Sequence, residues 1–166
     1  MEFMVGNMLL EAKLATELKV GDIIIGGEEN FLDRFPIESV VNMENKIICQ
    51  LDIDRFLVFN KRDLIMIKVY ANELSVGREF IVLTENALKP FYKNIRYLCD
   101  ENTEFFTNIP KYRFGRVKVI EIAELKGVSM VHFEHRRPMP IGGPDLVEQK
   151  YIAIEHKDDY LVKEDR

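Results

Sequence analysis

The sequence predicts a mainly β protein made of two tandem small SH3-like β-barrels, with one short helix inserted in the second barrel. Three observations lead to this fold class. A five-residue segment occurs twice, each copy runs into an apolar stretch, and short strand patterns follow both copies in a similar order. Four or five short strands within roughly 60 to 80 residues are typical of a small barrel, whose closure removes exposed strand edges.

The repeated segment marks the beginning of each half. Glu17–Gly21 reads Glu-Leu-Lys-Val-Gly, and Glu73–Gly77 reads Glu-Leu-Ser-Val-Gly. We expect a tight turn at each Val-Gly step, because glycine adopts backbone angles that a side chain resists. The expected domains are residues 1–71, a barrel with the N-terminal segment, and residues 72–166, a barrel that contains the inserted helix.

Each half then shows the same order of a strand, a long loop, a hairpin and a closing strand. The segments are rich in Ile, Val and aromatic residues and are bounded by polar turn residues. In the first half they are residues 22–25, 38–43, 46–51 and 63–70. In the second half they are residues 79–83, 116–123, 128–134, 150–156 and 159–163. In segment 116–123, Val117 and Val119 alternate with Lys118, as in a half-buried strand.

Two segments depart from the β pattern. One helical face carries Ala87, Phe91, Ile95 and Leu98. Because proline is tolerated only in the first turn of a helix, the expected helix begins at Pro90 and runs over residues 90–98. Residues 7–20 fit a helix or a strand equally well, and periodicity does not distinguish the two.

Composition narrows the class of protein. The 166 residues include 23 basic and 28 acidic side chains, a formal net charge of −5, and 47% of the residues are hydrophobic, which fits a folded globular chain. No apolar run approaches the ~20 residues that a membrane helix needs. Cys49 and Cys99 have no metal-binding or redox spacing, so we expect a reducing, cytoplasmic compartment.

Signals for an enzyme are weak. Ser129 lies in Gly-Val-Ser-Met-Val, which lacks the second glycine of a nucleophile elbow, and no phosphate-binding loop is present. His132 and His135 are an odd number of positions apart, so on a strand they point to opposite faces and do not converge on one ion. We therefore expect no catalytic residue, metal or cofactor. The remaining enzyme alternative is a carboxylate or metal site around His132, Glu134 and His156.

Loop composition favours a protein-binding function. The expected loops 26–36 and 136–146 carry the aromatic, Met and Arg side chains that are enriched at interface anchors, and prolines restrict the second loop before a partner binds. We expect a non-enzymatic module that docks on a larger macromolecular complex, as an accessory subunit or inhibitor. The alternative for the apolar side chains is that they cover the barrel ends. The expected contact residues are Phe31, Phe35, Arg136, Arg137, Met139 and Ile141.

Nucleic-acid binding is the second hypothesis. Residues 111–118 contain four cations, two aromatics and no acid, a composition that pairs phosphates with stacked bases. The residues are Lys111, Tyr112, Arg113, Phe114, Arg116 and Lys118, with Arg136 and Arg137 as a second basic step. The competing interpretation packs Tyr112 and Phe114 beneath the barrel and leaves Lys111 and Arg113 in water. The identity of the partner and the oligomeric state stay open.

Overall fold

The computed structural model describes residues 1–28, 31–84, 110 and 113–157. These residues form twelve strands and two three-residue 3₁₀ helices, which confirms that the protein is mainly β. The expected helix over 90–98 lies outside them. None of the helices within the described ranges is long and apolar enough to cross a membrane.

The strands are numbered in the order in which they occur along the chain. They are β1 Glu2–Val5, β2 Met8–Leu14, β3 Ile23–Glu28, β4 Phe31–Pro36, β5 Ser39–Asn42, β6 Lys46–Gln50, β7 Phe56–Asn60, β8 Leu64–Lys68, β9 Glu79–Leu83, β10 Arg113–Glu124, β11 Val128–Arg137 and β12 Leu146–Glu155. The 3₁₀ helices are Ala15–Glu17 and Ala71–Glu73. The ambiguous segment 7–20 therefore consists of strand β2 followed by a 3₁₀ turn.

The described residues group into two compact units by their contacts. The first unit contains Met1 and Glu11–Lys68, and the second contains Glu2–Leu10, Val69–Thr84 and residues 113–157. In both units the order of the strands is open, and within the described ranges no sheet closes into a barrel.

In the first unit, β3 lies between β4 and β8 and is antiparallel to both, while β5, β6 and β7 form a separate antiparallel sheet. The expected loop over residues 26–36 is wrong, because most of it is a hairpin with register from Ile23 opposite Pro36 to Glu28 opposite Phe31. Pairing satisfies the backbone groups of a segment whose glycines and charges have low strand propensity.

In the second unit, β12, β11, β10, β9 and β1 are neighbours in that order. The strands β9 to β12 are antiparallel, and β1 is parallel to β9. One face carries the core, which includes Val117, Val119 and Phe133, and the other face carries exposed polar residues such as Lys118. The predicted alternation of buried and exposed side chains along β10 holds as far as Val119. A register shift between Val119 and Glu121 then reverses it, so Ile122 packs against the core.

Both copies of the repeated segment adopt the same local backbone structure. Gly21 has φ of +93° and Gly77 has φ of +94°, so the prediction of two glycine-dependent turns is confirmed. The Gly21 N–H donates to the Ile37 carbonyl at 3.0 Å, and the Ile37 N–H donates to the Asp22 carbonyl at 2.9 Å. In the second unit, Val119 exchanges the same two hydrogen bonds with Gly77 and Arg78, at 2.8 and 2.9 Å.

The residue after each glycine forms an ion pair of opposite sign in the two units. Asp22 is buried and accepts hydrogen bonds from Lys13 Nζ at 3.3 Å and from the Lys19 N–H at 3.0 Å. At the corresponding position, Arg78 pairs with Glu2 through its Nε at 3.0 Å. The shared backbone pattern is thus compatible with either charge.

Candidate functional site

Candidate residues from two separate segments meet where β10 begins and β11 ends. Arg116 lies directly opposite Arg136 in the antiparallel register, and the guanidinium carbon of Arg137 is 4.7 Å from the centre of the Phe114 ring. The basic segment and the end of β11 therefore lie side by side at this end of the sheet, with Arg116 and Arg136 on the outer face and Phe114 and Arg137 on the side of His135, and we call this group the basic–apolar patch. It comprises Arg113, Phe114, Arg116, Lys118, Arg136, Arg137, Met139 and Ile141.

A β-bulge shapes this end of the sheet. Arg113 is opposite Leu83 and Arg116 is opposite Ile81, so one extra residue of β10 is inserted between these pairs. Gly115 lies in the bulge with φ of +92°, and a Cβ atom there would be 2.4 Å from the Arg136 carbonyl oxygen. Only glycine lets the two strands approach this closely with this backbone angle.

Phe114 is held at the surface by a buried histidine. The His135 side chain is only 1% exposed, its Nε2 donates to the Phe114 carbonyl at 2.6 Å, and the two rings meet edge to face with centroids 5.6 Å apart. Phe114 itself stays 43% exposed, so the interpretation in which it packs beneath a barrel is not what the structure shows. An exposed ring in contact with Arg137 and His135 is a fixed apolar contact point.

The positive charges of the patch are only partly neutralised. Arg136 pairs with Glu134 at 3.1 Å, and Arg137 pairs with Glu148 at 2.8 Å. Arg113, Arg116 and Lys118 form no ion pair with any residue that the structure describes. These three cations are therefore available to an acidic ligand.

A small groove crosses the patch on the exposed face of the sheet. Its volume is about 190 Å³. It is lined by Glu79, Arg116, Val117, Lys118, Glu134 and Arg136. Pockets for drug-sized ligands are about 300–1,000 Å³, so this groove fits one side chain or one phosphate and not a larger substrate.

The loop after β11 supplies the apolar part of the patch. Ile141 is 93% exposed and Met139 is also exposed. The Gly142 N–H donates to the Met139 carbonyl at 3.2 Å and closes a turn that projects Ile141. An exposed large aliphatic side chain next to cations is typical of a docking surface.

The other predicted contact residues lie elsewhere. Phe35 is 5% exposed and belongs to the core of the first unit, so its side chain is not at the surface. Phe31 is in β4 opposite Glu28, and its side chain is outside the described part of the chain, as are Lys111 and Tyr112.

The histidines fall on opposite faces of β11, as their spacing predicts. His135 is on the core face, and His132 is on the outer face, where its ring stacks on Tyr151 at 4.6 Å and its Nε2 is 2.5 Å from Gln149 Oε1. Across the described ranges, no three His, Cys, Asp or Glu side chains are grouped to hold a metal ion.

Ser129 and His156 form a contact that the sequence did not predict. Ser129 Oγ is 2.8 Å from His156 Nε2, the distance of a nucleophile and its base. Ser129 is buried on the core face of β11, however, so a substrate does not reach its hydroxyl. The contact joins the start of β11 to the residue that follows β12.

Cys49 is a free cysteine in the core of the first unit. Cys49 is fully buried, and this burial, with the nearby charge of Asp22, raises the pKa of its thiol to about 11. The thiol is therefore neutral at physiological pH and unreactive. Cys99 is outside the described residues.

Tyr151 is a surface residue that the sequence analysis missed. It is 66% exposed on the outer face of β12, opposite His132. The alternation of Gln149, Tyr151 and Ala153 with the half-buried residues of β12 is the signal that places it there.

A comparison of the chain with protein-family models, with characterised proteins and with solved structures finds no match.

Proposed function

We propose that this chain is a non-enzymatic protein-binding module that docks through the basic–apolar patch on an acidic, partly apolar segment of a partner protein. The observation that supports this function is the cluster of Arg113, Arg116 and Lys118, which form no ion pair with any described residue, at the end of the sheet where the loop with the exposed Ile141 follows β11. In a chain with a net charge of −5, such a cluster is a local reversal of the overall charge.

The arrangement of the cations favours an acidic ligand. Arg116 and Arg136 are directly opposite each other across the β10–β11 pair, and like charges in this position repel. Glu134 pairs with Arg136 and lies opposite Lys118, while Arg116 forms no ion pair with any residue that the structure describes. A carboxylate bound beside Arg116 would remove the remaining repulsion while it gains a charge-assisted hydrogen bond.

The apolar side chains give the surface its second component. Phe114 is fixed by His135 and Arg137, so little side-chain entropy is lost when a partner covers it. Ile141 projects from its turn and fits an apolar pocket. A ligand with alternating acidic and apolar residues matches both components, and the chain would act as an accessory subunit or inhibitor of a larger, cytoplasmic complex.

Two SH3-like barrels, divided at residues 71 and 72, are the architecture that we propose for the complete chain. The identical backbone pattern at Gly21 and Gly77 supports a common plan for the two halves. In this plan, loops of both barrels are surfaces for further contacts.

The test of the docking function begins with affinity purification and mass spectrometry to identify a partner. The binding constant is then measured by titration calorimetry for the double variant Arg116→Glu, Ile141→Ser. We expect at least a tenfold loss of affinity, because the variant removes a charge-assisted contact and an apolar anchor. The matched control is Lys126→Glu, Val41→Ser, which changes the same charge and a similar side chain at exposed positions outside the patch. Equal affinities of the two double variants would disprove docking through the patch.

Binding of single-stranded nucleic acid is the second candidate. Register places Arg116, Lys118 and Arg136 on the same outer face as the stacked His132 and Tyr151, a combination of cations and aromatic rings that such proteins use. A strand of phosphates would meet several acidic side chains on this face, among them Glu79, Glu121 and Glu134, whereas a single carboxylate of a peptide needs only the position beside Arg116, and this makes nucleic-acid binding the second candidate.

An oligonucleotide titration separates the two candidates. For nucleic-acid binding, affinity for a mixed-sequence strand falls steeply between about 50 and 200 mM salt, because bound counterions are released. The variant Tyr151→Ala would weaken binding further through the loss of stacking. Absence of binding at the lowest salt concentration excludes this candidate.

A further inference from the structure

Strand β12 is the edge of the sheet in the second unit. It is ten residues long and pairs with β11 from Arg137 opposite Leu146 to Val128 opposite Glu155. Among the residues that the structure describes, no strand pairs with its other side. A long edge with unpaired backbone groups is a template for another strand, and natural proteins usually cover or interrupt it.

The sequence of this edge is complementary to itself. Residues 146–152 read Leu-Val-Glu-Gln-Lys-Tyr-Ile, with Gln149 at the centre. Glu148 and Lys150 are equally far from Gln149, as are Val147 and Tyr151. Leu146 and Ile152 complete the symmetry. An acid is thus matched by a base, and each apolar residue by another apolar residue.

We propose that β12 pairs antiparallel with β12 of a second copy of this chain, with Gln149 opposite Gln149. In this register Glu148 of each copy is opposite Lys150 of the other, and Val147 is opposite Tyr151. Opposite-charge and apolar cross-strand pairs stabilise antiparallel sheets. A two-fold axis makes the interface closed, so the product is a dimer and not a fibre.

Neighbouring symmetric registers are unfavourable. A centre at Lys150 places the two lysines opposite each other, and a centre at Glu148 does the same with two glutamates. Like charges in this position repel. The charges of the edge therefore select the register centred on Gln149.

Lys150 and Glu148 differ in the ion pairs that they form within the described part of the chain. Lys150 forms no ion pair with any residue in the described ranges. Glu148 is fixed by Arg137 at 2.8 Å but its side chain remains 42% exposed, so its carboxylate still accepts a hydrogen bond from outside. The outer face adds Val147 and Tyr151, which are both exposed.

Sedimentation equilibrium of the full chain tests the dimer. We expect the wild type to reach twice 19.4 kDa at micromolar concentration. Lys150→Glu and Glu148→Lys, each alone, should raise the dimer dissociation constant about tenfold or more, because both symmetric contacts become repulsive. Lys126→Glu is the matched control, since it makes the same charge change at an exposed turn residue and should dimerise like the wild type.

Mixing the two variants gives the decisive result. A Glu148→Lys chain opposite a Lys150→Glu chain recovers both attractive contacts, so an equimolar mixture should form a heterodimer although neither variant dimerises by itself. Loss of folding in either variant does not reproduce this rescue. A monomeric wild type, single variants that dimerise as well as the wild type, or a mixture that stays monomeric would each overturn the proposal. It does not rest on docking through the basic–apolar patch, whose test leaves β12 unchanged.

Discussion

Replacement of Gly115 by alanine tests how closely β10 and β11 approach at the bulge. The added Cβ would lie 2.4 Å from the Arg136 carbonyl oxygen and 2.9 Å from Arg137 Cβ, and the first of these neighbours is backbone that cannot rotate away. The φ of +92° adds a conformational cost of roughly 1–2 kcal/mol for a residue with a Cβ. Displacing packed neighbours typically costs a further 1–3 kcal/mol, so the expected loss of stability is about 2–5 kcal/mol.

Gly143→Ala is the matched control for this experiment. Gly143 has φ of +93°, and a Cβ there meets no atom within 4 Å, so only the conformational cost of roughly 1–2 kcal/mol applies. Urea denaturation gives the free energy of unfolding of both variants, and amide hydrogen exchange shows whether the loss is centred on β10 and β11. If Gly115→Ala destabilises the protein no more than Gly143→Ala, β10 and β11 do not approach closely enough at the bulge to exclude a Cβ atom.

Three further predictions concern the buried Cys49 thiol and two ion pairs. Burial raises the pKa of the Cys49 thiol from 9.0 to about 11, so the neutral thiol stabilises the folded state fully below pH 9, and this contribution of about 2–3 kcal/mol is lost as the pH rises to 11. Cys49→Ala should not show this loss when the free energy of unfolding is measured against pH. Asp22→Asn should cost about 1.5–3 kcal/mol in urea unfolding, because the buried carboxylate no longer pairs with Lys13, whereas Asp52→Asn at an exposed turn should cost less. Arg78→Lys should also destabilise the second unit, since lysine does not contact Glu2 and the Glu73 carbonyl together; hydrogen exchange as protected as in the wild type would contradict this.

Local chemistry made part of the fold predictable. The turns at Gly21 and Gly77 depend on a residue without a Cβ, and this requirement is visible in the sequence. Strand β4 was missed because its pairing with β3 is a tertiary contact, and the glycines and charges around it have low strand propensity. The two-residue period correctly predicted that Val117 and Val119 share one face of the strand. One residue inserted after Val119 reversed the alternation, so Ile122 also packs against the core.

The candidate site was predictable residue by residue but not as a surface. The basic segment and the loop after β11 were competing sites in the sequence, and only the register of Arg116 against Arg136 brings them together. Phe35 was expected at a contact surface, yet the formation of the β3–β4 hairpin buries it. The local sequence of an aromatic residue between charged residues is the same whether its side chain is buried in a core or exposed at a surface.

The turns that follow the two 3₁₀ helices can be regarded as interchangeable parts. Residues 15–22 and 71–78 share one backbone course but end in an acid and a base, whose companions are Lys13 and Glu2. A chimera that carries either octapeptide at both places should keep the backbone course but bring two like charges together, an arginine beside Lys13 or an aspartate beside Glu2. Exchange of that companion residue for one of opposite charge should then restore an attractive pair.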